Sequence, residues 1–199
     1  PVTTRSPGVL LAPHARGNSR ICYFTFHCGS AGHVSIDDGR TTACWRVDHC
    51  NIDGTRSALF EANGQGAGLL DNCKFTGMQW AQEFLYAQGW AGGDYTGWQN
   101  ETGAQLAGNT NLFYIEDCSF SGTGAPDGAS WIQLYRGSRI CIRSNYFFWC
   151  SIDAHGGGNI GARWWEIYRN VFANDNDSSG QPSYAFSGRA GSGVIWGNS

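Results

Sequence analysis

The chain has 199 residues, which is enough for one domain with a sizeable buried core. Its formal net charge is −3, only 15% of its residues are charged, and no basic run suggests a nucleic-acid partner. No apolar run approaches the roughly 20 residues of a membrane span, and 29 glycines among many aromatic and β-branched residues favour an all-β protein rich in turns.

Two kinds of short strand alternate along the chain. The first kind is apolar and ends in a Gly-rich turn. Its members are "GVLLAPHARG" (8–17), "VSIDDG" (34–39), "ALFEANG" (58–64), "EFLYAQG" (83–89), "WIQLYRG" (131–137), "SIDAHGGG" (151–158) and "YAFSGRAG" (184–191). The second kind carries a bend and a short third strand. Its members are "ICYFTFHC" (21–28), "WRVDHCNID" (45–53), "LLDNCKFTG" (69–77), "FYIEDCSFS" (113–121), "CIRSNYFFW" (141–149), "EIYRNVFAN" (166–174) and "GVIWGNS" (193–199).

The second kind of strand aligns on one anchor residue in each repeat. The anchors are Phe24, Cys50, Cys73, Cys118, Asn145, Asn170 and Gly197. They lie 23 to 27 residues apart, except for one step of 45 residues. The residues three before the anchor are all apolar: Ile21, Val47, Leu70, Ile115, Ile142, Ile167 and Val194. The residues two after it are apolar as well: Phe26, Ile52, Phe75, Phe120, Phe147 and Phe172.

A period near 25 residues with three short strands predicts a parallel β-solenoid, in which like residues stack from coil to coil. A β-sandwich also has many short strands, but it gives no reason for like residues to recur in one register. The sequence therefore predicts a single all-β domain over residues 1–199, a parallel β-helix of about seven coils of 23–27 residues. The long step is interpreted as one ordinary coil with an inserted loop at 87–111.

The hydrophobic-x-x-Asn/Cys-x-Phe pattern, which covers nearly the whole chain, resembles the repeats of the pectate-lyase-like superfamily of right-handed parallel β-helices. That superfamily includes lyases and hydrolases of acidic glycans, but also phage tailspikes and adhesins. The resemblance implies a right-handed coil and a substrate groove along the outer face of the first kind of strand. We expect the protein to be secreted or displayed on a surface.

The two ends of the chain show no cap. There is no amphipathic capping helix at the N-terminus, and the sequence stops in mid-strand at "VIWGNS". An open solenoid end exposes unpaired backbone and apolar core. We therefore expect the chain to be part of a longer protein, or its ends to be covered by flanking domains or by self-association.

The stretch "SIDAHGGG" is the strongest candidate for chemistry. Strand parity turns Ile152 and Ala154 inward, and Asp153 and His155 outward. Adjacent coils would bring Arg136 and Arg189 to within about 5 to 10 Å of them. The predicted catalytic residues are therefore His155, Asp153, Arg189 and Arg136, and Tyr135 and Glu61 are expected to contact substrate on the same face.

The chemistry expected of this group follows from its residue types. Histidine can act as a base or an acid near neutral pH, and an aspartate can orient its ring. Arginine can bind a uronate carboxylate through two hydrogen bonds. The alternative is that Asp153 and His155 form a hydrogen-bonded pair that stabilises the turn.

Other segments are less specific. Trp90, Tyr95 and Trp98 in the inserted loop could form platforms for sugar rings, or they could fold back to cover the solenoid. The loop "ANDNDSSG" (173–180) is rich in oxygen ligands, so calcium is a candidate cofactor, but the loop lacks the spacing of a known calcium motif. Outward charges before the anchor, such as Asp48 and Arg143, are read first as a solvated face with ladders of opposite charge.

Two functions follow from these observations. The first is a carbohydrate-active protein, a polysaccharide lyase or glycosidase that acts on an acidic glycan in a groove along the outer face. The alternative is a non-enzymatic solenoid, such as a tail-fibre, adhesin or filament segment. The Asp–His–Arg group favours the first function, and the uncapped ends favour the second.

Overall fold

A computed structural model describes residues 2–4, 19–28, 33–37, 44–54, 59–63, 68–77, 83–88, 112–122, 130–135, 137–156, 161–174 and 184–199. These residues form twenty short strands and contain no helix. The all-β prediction is therefore confirmed. Within the same residues, there is no helix that is long and apolar enough to cross a membrane.

The strands form three parallel sheets, and each turn of the chain visits them in the same order. Sheet 1 contains β4 (Val34–Asp37), β7 (Phe60–Asn63), β10 (Glu83–Gln88), β13 (Ser130–Tyr135), β16 (Cys150–Ala154) and β19 (Phe186–Gly188). Sheet 2 contains β2 (Ser19–Cys22), β5 (Trp45–Asp48), β8 (Gly68–Asp71), β11 (Phe113–Glu116), β14 (Arg139–Arg143), β17 (Trp164–Tyr168) and β20 (Ser192–Trp196). Sheet 3 contains β1 (Val2–Thr4), β3 (Thr25–Cys28), β6 (Asn51–Gly54), β9 (Lys74–Thr76), β12 (Ser119–Ser121), β15 (Tyr146–Phe148) and β18 (Val171–Ala173).

The register of the sheets shows why like residues recur. Ile21 pairs with Val47 and Val47 with Leu70 in sheet 2, while Phe120 pairs with both Phe75 and Phe147 in sheet 3. Parallel pairing at a strand spacing of about 4.8 Å puts similar side chains directly above one another. The parallel β-solenoid predicted from the repeats is therefore confirmed.

The solenoid core is filled by these stacked columns. The rings of Phe75, Phe120, Phe147 and Phe172 lie face to face, with centroids 4.7, 5.1 and 4.8 Å apart. The first three of these rings are completely buried. Offset stacking adds about 1 kcal/mol per aromatic pair to the burial of apolar area, so the column stabilises the turns against one another.

A single left-handed residue makes the corner between sheet 2 and sheet 3. Tyr23, His49, Asn72, Asp117, Ser144, Arg169 and Gly197 have φ between 50 and 63° at this corner. The residue that follows each of them is the anchor, and the five anchors from Cys50 to Asn170 are buried in the interior. This corner shows that one sequence alignment was wrong: Gly197 is the corner, and Asn198 is the anchor. Accordingly Ile195, rather than Val194, pairs with Ile167.

The anchors form a continuous ladder of hydrogen bonds inside the corner. Asn145 Oδ1 accepts a bond of 2.9 Å from the amide of Cys118, and Asn145 Nδ2 donates to the carbonyl of Ile115 at 2.9 Å. Asn170 Oδ1 accepts from the amide of Asn145, and Asn198 Oδ1 accepts from the amide of Asn170. The ladder satisfies buried main-chain groups that the corner leaves outside the sheets.

Cysteine anchors continue the ladder through the earlier turns. The thiol of Cys73 donates to the carbonyl of Asp71 at 3.3 Å, and the thiol of Cys118 accepts from the amide of Cys73 at 3.4 Å. Bonding to the next thiol raises the pKa of both Cys50 and Cys73 well above the ordinary thiol range. All eight cysteines of the chain are free.

Candidate functional site

The outer face of sheet 1 carries two adjacent rows of polar residues. Ile152 and Ala154 are fully buried in the core, so Asp153 and His155 project from the opposite side of β16, as parity predicted. Asp153 pairs in register with Gln133 on one side and with Ser187 on the other. Tyr135 and Arg189 occupy the corresponding places beside His155.

Hydrogen bonds of the main chain continue this register past the ends of the strands. The amide of His155 donates to the carbonyl of Leu134, and the amide of Arg189 donates to the carbonyl of Ala154. The side chains of Tyr135, His155 and Arg189 therefore stand on three successive turns of the solenoid. A row of this kind repeats at about the 4.8 Å spacing of parallel strands.

Asp153 and Arg189 form a bidentate ion pair. Arg189 Nε donates to Asp153 Oδ1 at 3.0 Å, and Arg189 Nη2 donates to Asp153 Oδ2. The Asp153 side chain has no exposed area, whereas 47% of the Arg189 side chain is exposed. Hydrogen bonding to Asp153 raises the pKa of Arg189. The carboxylate is thus inaccessible to solvent, and it holds a guanidinium whose remaining N–H groups can meet a ligand.

His155 contacts Tyr135 through its ring. The two ring centroids are 4.1 Å apart and the ring planes meet at 25°, so the rings are stacked. Both side chains are partly exposed. Both oxygens of Asp153 bond to Arg189, and the observed neighbour of the His155 ring is the phenol of Tyr135. That Asp153 orients His155 stays a prediction.

Three buried polar atoms on this face lack a hydrogen-bond partner in the described structure. They are Gln133 Oε1, Ser151 Oγ and His155 Nδ1. Gln133 and Ser151 are themselves buried. Buried polar groups in proteins are nearly always bonded, and leaving one unpaired costs about 1–3 kcal/mol.

The glycine after His155 is required by close packing. A Cβ built on Gly156 would lie 2.7 Å from both Cβ and the carbonyl oxygen of Arg189. Any larger residue would push the Arg189 segment away from its place beside Asp153. Glycine at this position of the predicted Gly-rich turn therefore allows two successive coils of the solenoid to pack closely at the candidate site.

Glu61 lies too far along sheet 1 to join this group. Register places it three strands from Asp153, through Tyr86 and Gln133, which is about 14 Å at the spacing of parallel strands. It lies beside His33, with Glu61 Oε2 and His33 Nε2 separated by 3.5 Å. The remaining predicted site residues, Arg136, Trp90, Tyr95 and Trp98, lie outside the described residues, as does 175–180 of the proposed calcium loop.

The outer face of sheet 2 carries the ladder of opposite charges that the sequence indicated. Arg20 makes two 2.7 Å bonds to Asp48, and Arg46 makes bonds of 3.0 and 2.8 Å to Asp71. The hydrogen bonds from Arg20 hold the pKa of Asp48 well below its usual range. These arginine–aspartate pairs join neighbouring strands.

The same face also carries an apolar cluster that the sequence reasoning missed. Leu112, Cys141 and Trp164 are buried together on the outside of sheet 2, with Tyr114 and Tyr168 packed against them. The signal available was the recurrence of outward aromatic residues, Tyr114 and Tyr168, in a face otherwise read as charged. Sheet 2 is therefore not a purely solvated surface.

Within the described residues, no group of three or more His, Cys, Asp or Glu side chains is placed to hold a metal ion. No protein-family model matches the chain, and no curated protein and no solved structure is detectably similar to it.

Proposed function

We propose that the outer face of sheet 1 binds an acidic polysaccharide and cleaves it by β-elimination. The observation that carries the proposal is the Arg189 guanidinium, which Asp153 holds in place beside the stacked rings of His155 and Tyr135. A fixed cation on the same face as two side chains that can transfer protons supports this proposal. The resemblance of the repeats to the pectate-lyase-like superfamily supports the same class of substrate.

Arg189 is the group that would recognise the substrate. Only two of its five N–H donors point at Asp153, so the others can bond a uronate carboxylate. Because the Asp153 carboxylate is buried and bidentate, the guanidinium is held in one orientation before substrate arrives. Asp153 then acts as a positioning residue rather than as a group that touches the substrate.

The reaction needs a base and an acid on the same face. Neutralisation of the uronate carboxylate by Arg189 acidifies the proton on C5, and His155 removes that proton. The C5 electron pair forms a C4=C5 double bond as the bond from C4 to the glycosidic oxygen breaks. The departing oxygen takes a proton from the Tyr135 hydroxyl, and solvent restores the proton of Tyr135 and removes that of His155.

A glycosidase mechanism fits the geometry less well. Hydrolysis of a glycosidic bond usually requires two carboxyl groups about 5 to 9.5 Å apart, both in contact with substrate. Asp153 is buried and paired, and Glu61 is three strands away. The described part of sheet 1 offers one accessible cation and a histidine–tyrosine pair instead, which suits elimination.

The test is to incubate the protein with a panel of uronate polysaccharides and to follow the ultraviolet absorbance of the unsaturated product. We expect one polysaccharide to give product, His155→Ala to abolish it, and Tyr135→Phe to slow it strongly. His27→Ala is the control, because His27 is a partly exposed histidine that bonds to Asp53 on sheet 3, away from the sheet 1 face. Absence of product from every substrate, or full activity of His155→Ala, would refute the proposal.

The second candidate is a non-enzymatic solenoid that only binds an acidic glycan or serves as a spacer. The Asp153–Arg189 pair favours this candidate, because a buried carboxylate bonded to one arginine is also typical of an ion pair with a purely structural role. Binding of a uronate oligosaccharide without any product would select this function. Acidic polysaccharides are mostly found outside the cell, so we propose that the protein is secreted or displayed on a surface.

A further inference from the structure

We propose that Arg20 and Arg46, on the outer side of sheet 2, bind the phosphate of a phosphate monoester whose organic ring packs against Leu69 and Tyr114. These four side chains line a cleft of about 400 Å³. Strand parity turns them outward, because the residues that alternate with them pack in the core. The site lies on a different sheet from Arg189, so the proposal goes beyond the function proposed for sheet 1 and does not depend on it.

The four residues form one row across neighbouring strands. Arg20 pairs in register with Arg46, and Arg46 pairs with Leu69. Leu69 in turn pairs with Tyr114. At the parallel spacing of about 4.8 Å, two cations are followed within about 10 Å by two side chains with apolar surface. A ligand that crosses these strands therefore meets positive charge at one end and apolar surface at the other.

A buried carboxylate holds each guanidinium in place. Arg20 Nε and Nη2 both donate to Asp48 at 2.7 Å. Arg46 Nε and Nη2 donate to Asp71 at 3.0 and 2.8 Å. The arginine side chains are 54% and 41% exposed, whereas the aspartate side chains are 0% and 9% exposed. A ligand in the cleft therefore meets the outer edges of the guanidiniums, which keep N–H groups that are not directed at the aspartates.

The two guanidiniums lie side by side, which suits a doubly charged oxyanion. Arg20 Nε and Arg46 Nε both contact the same oxygen, Asp48 Oδ1, at 2.7 and 3.3 Å. A phosphate monoester carries a charge of about −1.5 to −2 at pH 7 and presents three acceptor oxygens. Each guanidinium can therefore donate to a different oxygen of one phosphate. Arg189 on sheet 1 offers a single guanidinium, which matches the single charge of a uronate carboxylate.

Leu69 and Tyr114 provide the surface for the organic part of the ligand. Both side chains are partly exposed. The Arg143 guanidinium lies 5.7 Å from the centroid of the Tyr114 ring and helps to hold that ring in place. A ring attached through the ester oxygen can pack on these two side chains while the phosphate stays on the arginines. A sugar phosphate and an aryl phosphate share this chemistry, and the experiment separates them.

Titration calorimetry compares glucose 1-phosphate, phenyl phosphate, inorganic phosphate and benzoate. We expect at least one of the two esters to bind about tenfold more tightly than inorganic phosphate or benzoate, and its affinity to fall at high salt. Cys44 reports where the ester binds, because it is the exposed cysteine of the chain and lines the cleft. The same ester should slow the alkylation of Cys44 by iodoacetamide several-fold, as measured by peptide mapping.

Two variants test the residues of the cleft. Arg20→Gln/Asp48→Asn removes one guanidinium together with the carboxylate that holds it, so the net charge of the protein does not change. It should weaken binding of the ester about tenfold. Leu69→Glu keeps both arginine–aspartate pairs and should also weaken binding, because its carboxylate repels the phosphate and replaces apolar surface.

The matched control is Asp153→Asn/Arg189→Gln, which removes the same kind of pair from sheet 1 and should leave the affinity for the ester unchanged. The proposal is overturned if neither ester binds or protects Cys44. It is also overturned if inorganic phosphate binds as tightly as the esters, which would indicate an adventitious ion only. Unchanged affinity in either cleft variant, once urea unfolding has shown that variant to be folded, would overturn it as well.

Discussion

The anchor ladder makes a prediction that can be quantified from its bonds. Replacing Asn145 by alanine removes the acceptor for the Cys118 amide and the donor for the Ile115 carbonyl, both inside a corner where Asn145 is 2% exposed. Each main-chain group left unpaired and buried costs about 1–3 kcal/mol. We therefore expect Asn145→Ala to lower the free energy of unfolding by about 4 kcal/mol.

The upstream turns supply a matched control for this substitution. There a cysteine occupies the anchor, and the Cys118 thiol accepts from the Cys73 amide and donates to the Leu70 carbonyl at 3.6 Å. Asn145→Cys should therefore keep both bonds in weaker form and cost about half as much, on the order of 2 kcal/mol. Urea unfolding in the presence of a thiol reductant measures both variants, provided that the m-value is unchanged. Equal losses for the two variants, or a loss below about 1 kcal/mol for Asn145→Ala, would refute the ladder as a source of stability.

Three further predictions concern other parts of the molecule. Arg189→Gln leaves the buried Asp153 without its cation and should lower the free energy of unfolding by about 3 kcal/mol. The double variant Asp153→Asn/Arg189→Gln should recover most of that loss. A double variant no more stable than Arg189→Gln alone would contradict this prediction. Because Arg20 lowers the pKa of Asp48 in the folded protein, the stability that this pair contributes is present above about pH 4 and is lost as the pH falls below it. Urea midpoints measured across that range should therefore fall less steeply with acid in Arg20→Gln, and identical slopes would argue against the assignment. Phe120→Ala removes the centre of the ring stack and should cost about 4 kcal/mol, against about 1 kcal/mol for Phe120→Leu; calorimetry that found the two equal would show that the stack is not tightly packed.

The fold was predictable because the solenoid repeats one physical requirement in every turn. Each turn must have an apolar residue, a corner and a second apolar residue at the same positions along the turn. The pattern that meets this requirement therefore recurs several times in the sequence. The prediction was wrong in the last turn, where Val194, Ile195 and Trp196 are all apolar and no phenylalanine follows to fix the register. Asn198, three residues after Ile195, was the available signal.

The candidate site was predictable only in part. Strand parity placed Asp153, His155 and Arg189 on one face, since these positions follow from alternation and from the stacking of turns. Parity could not reveal that Asp153 is inaccessible to solvent, because burial on the outer face depends on the paths of other side chains. Nor could it reveal that Tyr135, rather than Asp153, is the observed neighbour of the His155 ring.

The central claim is that Arg189 on the face of sheet 1 recognises a uronate carboxylate. The most direct measurement is the affinity, by titration calorimetry, of a uronate oligosaccharide and of the same oligosaccharide with its carboxyl groups reduced to alcohols. The wild-type protein should prefer the acidic form by about tenfold or more, which corresponds to one charge-assisted interaction of roughly 1.4 kcal/mol. The double variant Asp153→Asn/Arg189→Gln should lose that preference while it remains folded. An unchanged preference in the folded double variant, or no preference in the wild type, would contradict the account.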